Sequence, residues 1–292
     1  MSQSLTIQSE AAHLAQTAGD LLLQAERLAH AMTFGDHGRR KAGLGDHFWQ
    51  YRPFQNGLDS PRSIDHRRSA KQDQDFVRQL EWKTPQVLHL WVDSAASMRF
   101  SSKGQSQKHH RGAVLALALA IAAEKAGERV GLSDQSLPPA RGKGQIFRMA
   151  ERFATEAVED YVKTTPSDFV KGASAVLTSD FFADLAQTEQ ALSCAVDKGV
   201  SGVLLQVLDP SEQSFPFRGR AIFQSVLGRL QHDTKEAGDL RQSYLDRLIS
   251  RQTRLKELAQ LAGWSFYCDD GSHSPIAVAS RLYFLLSRGR SG

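Results

Sequence analysis

An α/β fold is predicted: a mostly parallel sheet with helices on both faces, preceded by an N-terminal helix and a small antiparallel β excursion. Three observations predict it. From residue 87 onward, strand-length apolar runs alternate with helix-length amphipathic stretches, the pattern of successive βα units. The runs at 87–92 and 202–208 are almost continuously apolar, as strands covered on both faces must be. The chain has 292 residues, 41% hydrophobic and 23% charged, enough to bury a continuous core.

The elements follow in order. Residues 5–31 carry Leu5, Ala11, Leu14, Ala18, Leu21, Leu22, Ala25, Leu28 and Ala29 at helical spacing, which predicts an amphipathic helix. Residues 46–83 mix aromatic and polar residues around a turn-rich stretch and read as the antiparallel excursion. Strands are expected at 87–92, 129–132, 173–178, 202–208 and 264–267. Helices are expected at 111–127, 146–161, 185–198, 240–262 and 276–286, with a small edge excursion at 219–227. The domain division is 1–84, the helix and excursion packed on the core, and 85–292, the α/β domain.

Several function classes lose support at once. The longest apolar run, residues 113–123, is short of the ~20 residues that cross a bilayer, and no signal peptide is evident. Cys194 and Cys268 make no disulfide framework, which fits a cytoplasmic setting. The net charge is +4. Segment 36–83 holds ten basic and seven acidic side chains, most of the excess. A nucleic-acid partner is not favoured there; Asp59, Arg62 and Asp65 read as a structural motif that ties the excursion together. His109 and His110 are adjacent and diverge by about 100° on a helix, so they read as a solvated helix start. There is no Gly-x-Ser-x-Gly elbow, and Arg141-Gly142-Lys143-Gly144-Gln145 lacks the ending of a phosphate loop.

Doubly wound sheets bind ligands beyond the carboxyl ends of their strands. That rule selects Asp93-Ser94-Ala95-Ala96-Ser97-Met98 and Ser179-Asp180-Phe181-Phe182. Together these resemble the metal-ion-dependent adhesion site of von Willebrand factor A domains. The preceding stretch, with Gly43-Leu44-Gly45-Asp46-His47-Phe48, Tyr51-Arg52-Pro53-Phe54, Gly57-Leu58-Asp59 and Arg62-Ser63-Ile64-Asp65-His66, resembles the signature of the DUF58 family. The resemblance runs from about residue 27 to the C-terminus.

The resemblance implies a von Willebrand A-like core without established catalytic activity, acting with a MoxR-type AAA+ ATPase in the assembly or maturation of protein complexes. It also implies a metal site at Asp93, Ser97 and Asp180. That site is degenerate: Ala95 stands where the middle serine belongs, and the loop at 140–145 has no threonine. No cofactor is therefore expected, Mg²⁺ or Mn²⁺ being the ion an oxygen-rich site would take. Lys143 is a candidate to bring its ammonium to the carboxylates in a cation's place. The alternative without metal is that Asp93, Ser97 and Asp180 cap the helices after their strands. Ser94, Met98, Lys143 and Phe181 are the expected partner-binding residues. Two other functions compete: a metal-dependent hydrolase or ligand-binding enzyme centred on Asp93 and Asp180, and a self-associating scaffold built on the first helix.

Overall fold

The computed structural model describes residues 2–35, 48–53, 76–80, 86–134, 136–155, 168–225, 227–228 and 231–289. Contacts divide the chain into two units, Asp36–Pro85 and the remainder, so that the N-terminal helix groups with the α/β core. In the smaller unit, β1 (Phe48–Pro53) pairs antiparallel with β2 (Phe76–Leu80), with a register shift between Phe48 and Gln50. Asp59, Arg62 and Asp65 lie outside the described residues.

The larger unit is built on five strands: β3 (Val87–Val92), β4 (Arg129–Leu132), β5 (Ser174–Ser179), β6 (Ser201–Val207) and β9 (Ser265–Asp269). Their order is β4-β3-β5-β6-β9, and every pair is parallel. The chain leaves β3 toward one edge and returns through β5 toward the other. The switch point therefore lies between β3 and β5, where a doubly wound, Rossmann-like sheet opens its crevice. β3 and β5 are buried along their whole lengths, which is why β3 reads as an apolar run.

Side-chain alternation sends Leu88, Leu90 and Val92 to one face and Val87 and Trp91 to the other. The first face is covered by α2 (Lys108–Lys125), α3 (Lys143–Ala154) and α7 (Pro275–Gly289). The second is covered by α4 (Leu185–Asp197) and α6 (Arg241–Leu261). α2 is buried nearly all round because α1 (Ser2–Gly35) lies over it and also meets α3 and α7. Ala18, Leu21, Ala25, Leu28 and Ala29 of α1 join that core, so the second half of the helix's apolar stripe packs within the chain, while Leu14 is exposed. Gly112 makes the seat of α2 close: a Cβ there would stand 2.8 Å from Cγ2 of Thr178 on β5.

Between β6 and α6 come the short α5 (Pro210–Ser214) and a hairpin of β7 (Ala221–Gln224) with β8 (Gln231–Thr234). The expected edge excursion is the first half of this hairpin. Gln231-His232-Asp233-Thr234 has no apolar residue, and so gave no strand signal.

Candidate functional site

Three loops meet at the carboxyl ends of β3, β5 and β6. Asp93 directly follows β3, and its backbone N–H still donates to the Thr178 carbonyl at 2.8 Å, prolonging the β3–β5 ladder. Its Oδ1 accepts from Ala95 N–H at 2.8 Å, closing an Asx turn. Its Oδ2 accepts from the Ser179 hydroxyl at 2.6 Å. Asp93 is 3% exposed. Burial pushes its carboxyl up to about 6, against the hydrogen bonds from Ser179 and Ala95; the nearby charge of Asp180 adds to the rise and Lys108 opposes it.

Asp180 is also buried and turns its own Oδ1 to Phe182 N–H at 3.0 Å. Its Oδ2 receives the Lys108 ammonium at 2.9 Å, and the same Nζ donates to Glu212 Oε1 at 2.7 Å. Lys108 opens α2 and is 2% exposed. The rings of Phe182 and Phe100 face its Nζ at 5.1 and 5.9 Å, so two carboxylates and two aromatic faces enclose the charge. Burial works against the ammonium, but the fields of Asp180 and Glu212 outweigh it and hold the group above its ordinary range. Glu212 is raised by burial, with the Lys108 charge pulling the other way.

Glu212 is placed by a capping box. Asp209 caps α5, accepting from Ser211 N–H, while Glu212 Oε2 accepts from Asp209 N–H at 2.9 Å. The other Asp209 oxygen accepts from both the N–H and the hydroxyl of Ser102, tying the β3 loop to the end of β6. Burial works to raise the Asp209 carboxyl; the hydrogen bonds of Ser102 and Ser211 prevail and hold it low.

The loop after β5 is pinned from several sides. Phe181 sits at φ 52°, a left-handed conformation that a bulky residue adopts only under constraint. Its N–H donates to Ser179 Oγ, and the Arg251 guanidinium of α6 donates to the carbonyls of Phe181 and Ala183. Gln206 donates to the Asp180 carbonyl at 2.9 Å, and the Asp180 N–H points at Met98 Sδ at 3.1 Å.

Asp93 and Asp180 thus meet at one rim. They do not cap helices; they close Asx turns, and the helix caps are Asp184 for α4 and Asp209 for α5. The ammonium at the carboxylates is that of Lys108. Lys143 is exposed at the first residue of α3, after the edge strand β4. Ser94 is partly buried, whereas Met98 and Phe181 are buried as internal anchors; the half-buried ring at the rim is Phe182. Ser97 Oγ is buried with no hydrogen-bond partner among the described residues. The histidines are half-buried at the start of α2 rather than fully solvated. His110 Nε2 meets Gln24 Oε1 of α1 at 3.0 Å, and burial, with the charges of Arg99 and His110, lowers His109 to about 4.

The donor set does not fit a divalent cation. The Lys108 ammonium already occupies Asp180 Oδ2, Asp93 is engaged by Ser179 and Ala95, Ala95 supplies no hydroxyl, and no cluster of three His, Cys, Asp or Glu suited to a metal exists among the described residues. Glu212, Asp209 and Lys108 were not found by sequence reasoning, and Ser179 was selected only as part of the loop after its strand. Asp209-Pro210-Ser211-Glu212 is a capping-box pattern legible in the sequence. Lys108 carries a subtler signal: a cation at a helix N-terminus opposes the helix dipole and needs carboxylates nearby.

The family model described as protein of unknown function DUF58 matches residues 50–252. Among solved structures, an uncharacterized membrane-spanning protein from Vibrio fischeri shares 14% identity. The match covers 69% of this chain and 96% of that one, at a TM-score of 0.20. No curated protein matches the chain. No helix among the described residues is long and apolar enough to cross a membrane.

Proposed function

Because this chain belongs to the DUF58 family, we propose that it is a protein-interaction module that acts with a MoxR-type AAA+ ATPase in the assembly or maturation of protein complexes. The ATPase supplies the energy, and the rim at the ends of β3, β5 and β6 supplies recognition. The observation that carries this reading is that the rim's carboxylates are all engaged from within the chain. Asp93 is engaged by Ser179 and Ala95, Asp180 and Glu212 by Lys108, and Asp209 by Ser102 and Ser211. Carboxylates engaged in this way brace a surface; general acid–base work asks for a group within reach of a substrate proton. What the rim offers outward is the half-buried pair Phe100 and Phe182, and aromatic residues are enriched at protein interfaces. The von Willebrand A-like character suggested by the Asp93 and Asp180 motifs is part of the same reading.

The test is direct association of the purified full chain with a purified MoxR-type ATPase from the same organism, by size-exclusion chromatography and interferometry with and without ATP. A complex is expected, weakened about tenfold or more by Phe182→Ser, with an unchanged circular dichroism spectrum. No complex in either nucleotide state refutes the partner. A complex that neither Phe182→Ser nor Phe100→Ser weakens refutes the rim.

A further inference from the structure

We infer that Lys108 is the built-in cation of the rim: its ammonium holds the position between Asp180 and Glu212 that a divalent ion would otherwise fill, and it makes the site independent of metal. The inference stands whether or not an ATPase is the partner. Three observations carry it.

The first is the geometry of the ammonium. Nζ lies 2.9 Å from Asp180 Oδ2 and 2.7 Å from Glu212 Oε1, bridging carboxylates that come from the ends of two neighbouring strands, β5 and β6. A hard cation at this rim would collect oxygens from the same two loops. The lysine comes instead from the start of α2, 72 residues before Asp180 in the chain, and its stem is buried along with its charge.

The second is enclosure. The Phe100 and Phe182 rings close over Nζ, and both Lys108 and Asp180 are almost inaccessible. A metal that serves a ligand keeps an open position for it; this cation has none. The third is the oxygen set around it. Ala95 has no side-chain oxygen, its N–H is given to Asp93 and its carbonyl accepts from Met98 N–H, and Ser97 Oγ is buried without a hydrogen-bond partner among the described residues. A chain in which the lysine carries the charge needs neither hydroxyl. Truncating that lysine leaves the Asp180 and Glu212 carboxylates facing a cavity of lysine-stem length, an acidic pocket.

The experiment titrates the full chain with Mn²⁺ and Mg²⁺ after treatment with EDTA, following bound Mn²⁺ by electron paramagnetic resonance and stability by Tm. Wild type is expected to bind no Mn²⁺ saturably and to keep the same Tm with or without it. Lys108→Ala is expected to bind one Mn²⁺, with Tm raised by about 5 °C at a hundredfold excess over Kd. Addition of Asp180→Asn to that variant should abolish the binding. Saturable Mn²⁺ binding by wild type that Asp180→Asn removes would overturn the inference. So would a Lys108→Ala chain that folds and binds no Mn²⁺. If Lys108→Ala does not fold in EDTA, refolding in Mn²⁺ decides: recovery of the native circular dichroism spectrum supports the inference, and failure to recover by both Lys108→Ala and Lys108→Ser overturns it.

Discussion

Asp93→Asn is the sharpest probe of the rim, because it removes a charge and keeps the shape. The carboxyl of Asp93 is raised from its ordinary 3.8 to about 6, chiefly by burial. The folded state therefore binds a proton there that the unfolded chain has released. Such a group contributes stability that is fully present below pH 3.8 and is lost as pH rises through 6. At 1.36 kcal/mol per pH unit, the whole effect is about 3 kcal/mol, of which about 2 kcal/mol falls between pH 4.5 and 7.5. Asparagine does not titrate. Its side-chain oxygen can still accept from Ala95 N–H, and its amide faces Ser179 Oγ, where the carboxylate now accepts. Other carboxyls titrate in both proteins and largely cancel in the comparison. Urea unfolding at half-unit pH steps should show the difference in stability, variant minus wild type, moving in favour of the variant by about 2 kcal/mol from pH 4.5 to 7.5. A constant offset carries no information; the slope does. Parallel profiles, within about 0.5 kcal/mol over that range, would mean that Asp93 is solvated or otherwise compensated, and the account of a buried, internally paired rim would be refuted.

Three further outcomes follow from named contacts. Lys108→Met strands Asp180 and Glu212 as uncompensated buried acids and should cost about 3–5 kcal/mol in urea unfolding at pH 7; adding Asp180→Asn and Glu212→Gln should recover most of that loss. Gly202→Ala places a Cβ into the Ala175 carbonyl oxygen and 2.8 Å from the Trp264 ring, so β6 cannot keep its distance from β5; a loss of about 1–3 kcal/mol or more is expected in the same assay. Burial, with Asp270 and Asp269 nearby, pushes the Cys268 thiol up to about 12, so iodoacetamide at pH 8 should modify it at least about a hundredfold more slowly than a free thiol, as read by peptide mass spectrometry, with the difference abolished in urea.

The parts of the fold that sequence reveals are those whose burial is periodic or complete. Val87-Leu88-His89-Leu90-Trp91-Val92 reads as a strand because both its faces are covered, and Ala18, Leu21, Ala25 and Leu28 read as a helix face because α2 lies beneath them. The periodic signals fail where burial is partial or the element is short: β8 is polar and exposed, and α5 is a single turn whose only mark is the Asp209–Glu212 box. The site divides in the same way. Asp93 and Asp180 could be located because strand ends at a switch point follow from the order of elements. The cation that joins Asp180 to Glu212 could not, because it arrives from a helix start whose rotation about its own axis is set by packing. Gly112, one turn on, is part of that setting: with a Cβ at 2.8 Å from Thr178, α2 could not sit close enough for Lys108 to reach Asp180 in this way.

The choice of cation has a consequence for how the rim behaves. A surface completed by a metal ion exists in proportion to the ion's concentration, by mass action. A surface completed by Lys108 is fixed in composition once the chain folds. The same economy appears in the loop beside it. Phe181 is held in a left-handed conformation that costs on the order of 1–3 kcal/mol, and Ser179 Oγ and the Arg251 guanidinium supply the contacts that hold it there. That strain sets the direction of the backbone into Phe182, whose ring meets Lys108 on one side. The buried ammonium and the strained turn are therefore parts of one device. Lys108 fixes Asp180, Asp180 fixes the Phe182 N–H, and the ring is displayed in a single orientation. Loosening either end, at Lys108 or at Arg251, should disorder the same aromatic surface, so Lys108→Met and Arg251→Ala should weaken partner binding together even though the two residues lie on helices covering opposite faces of the sheet.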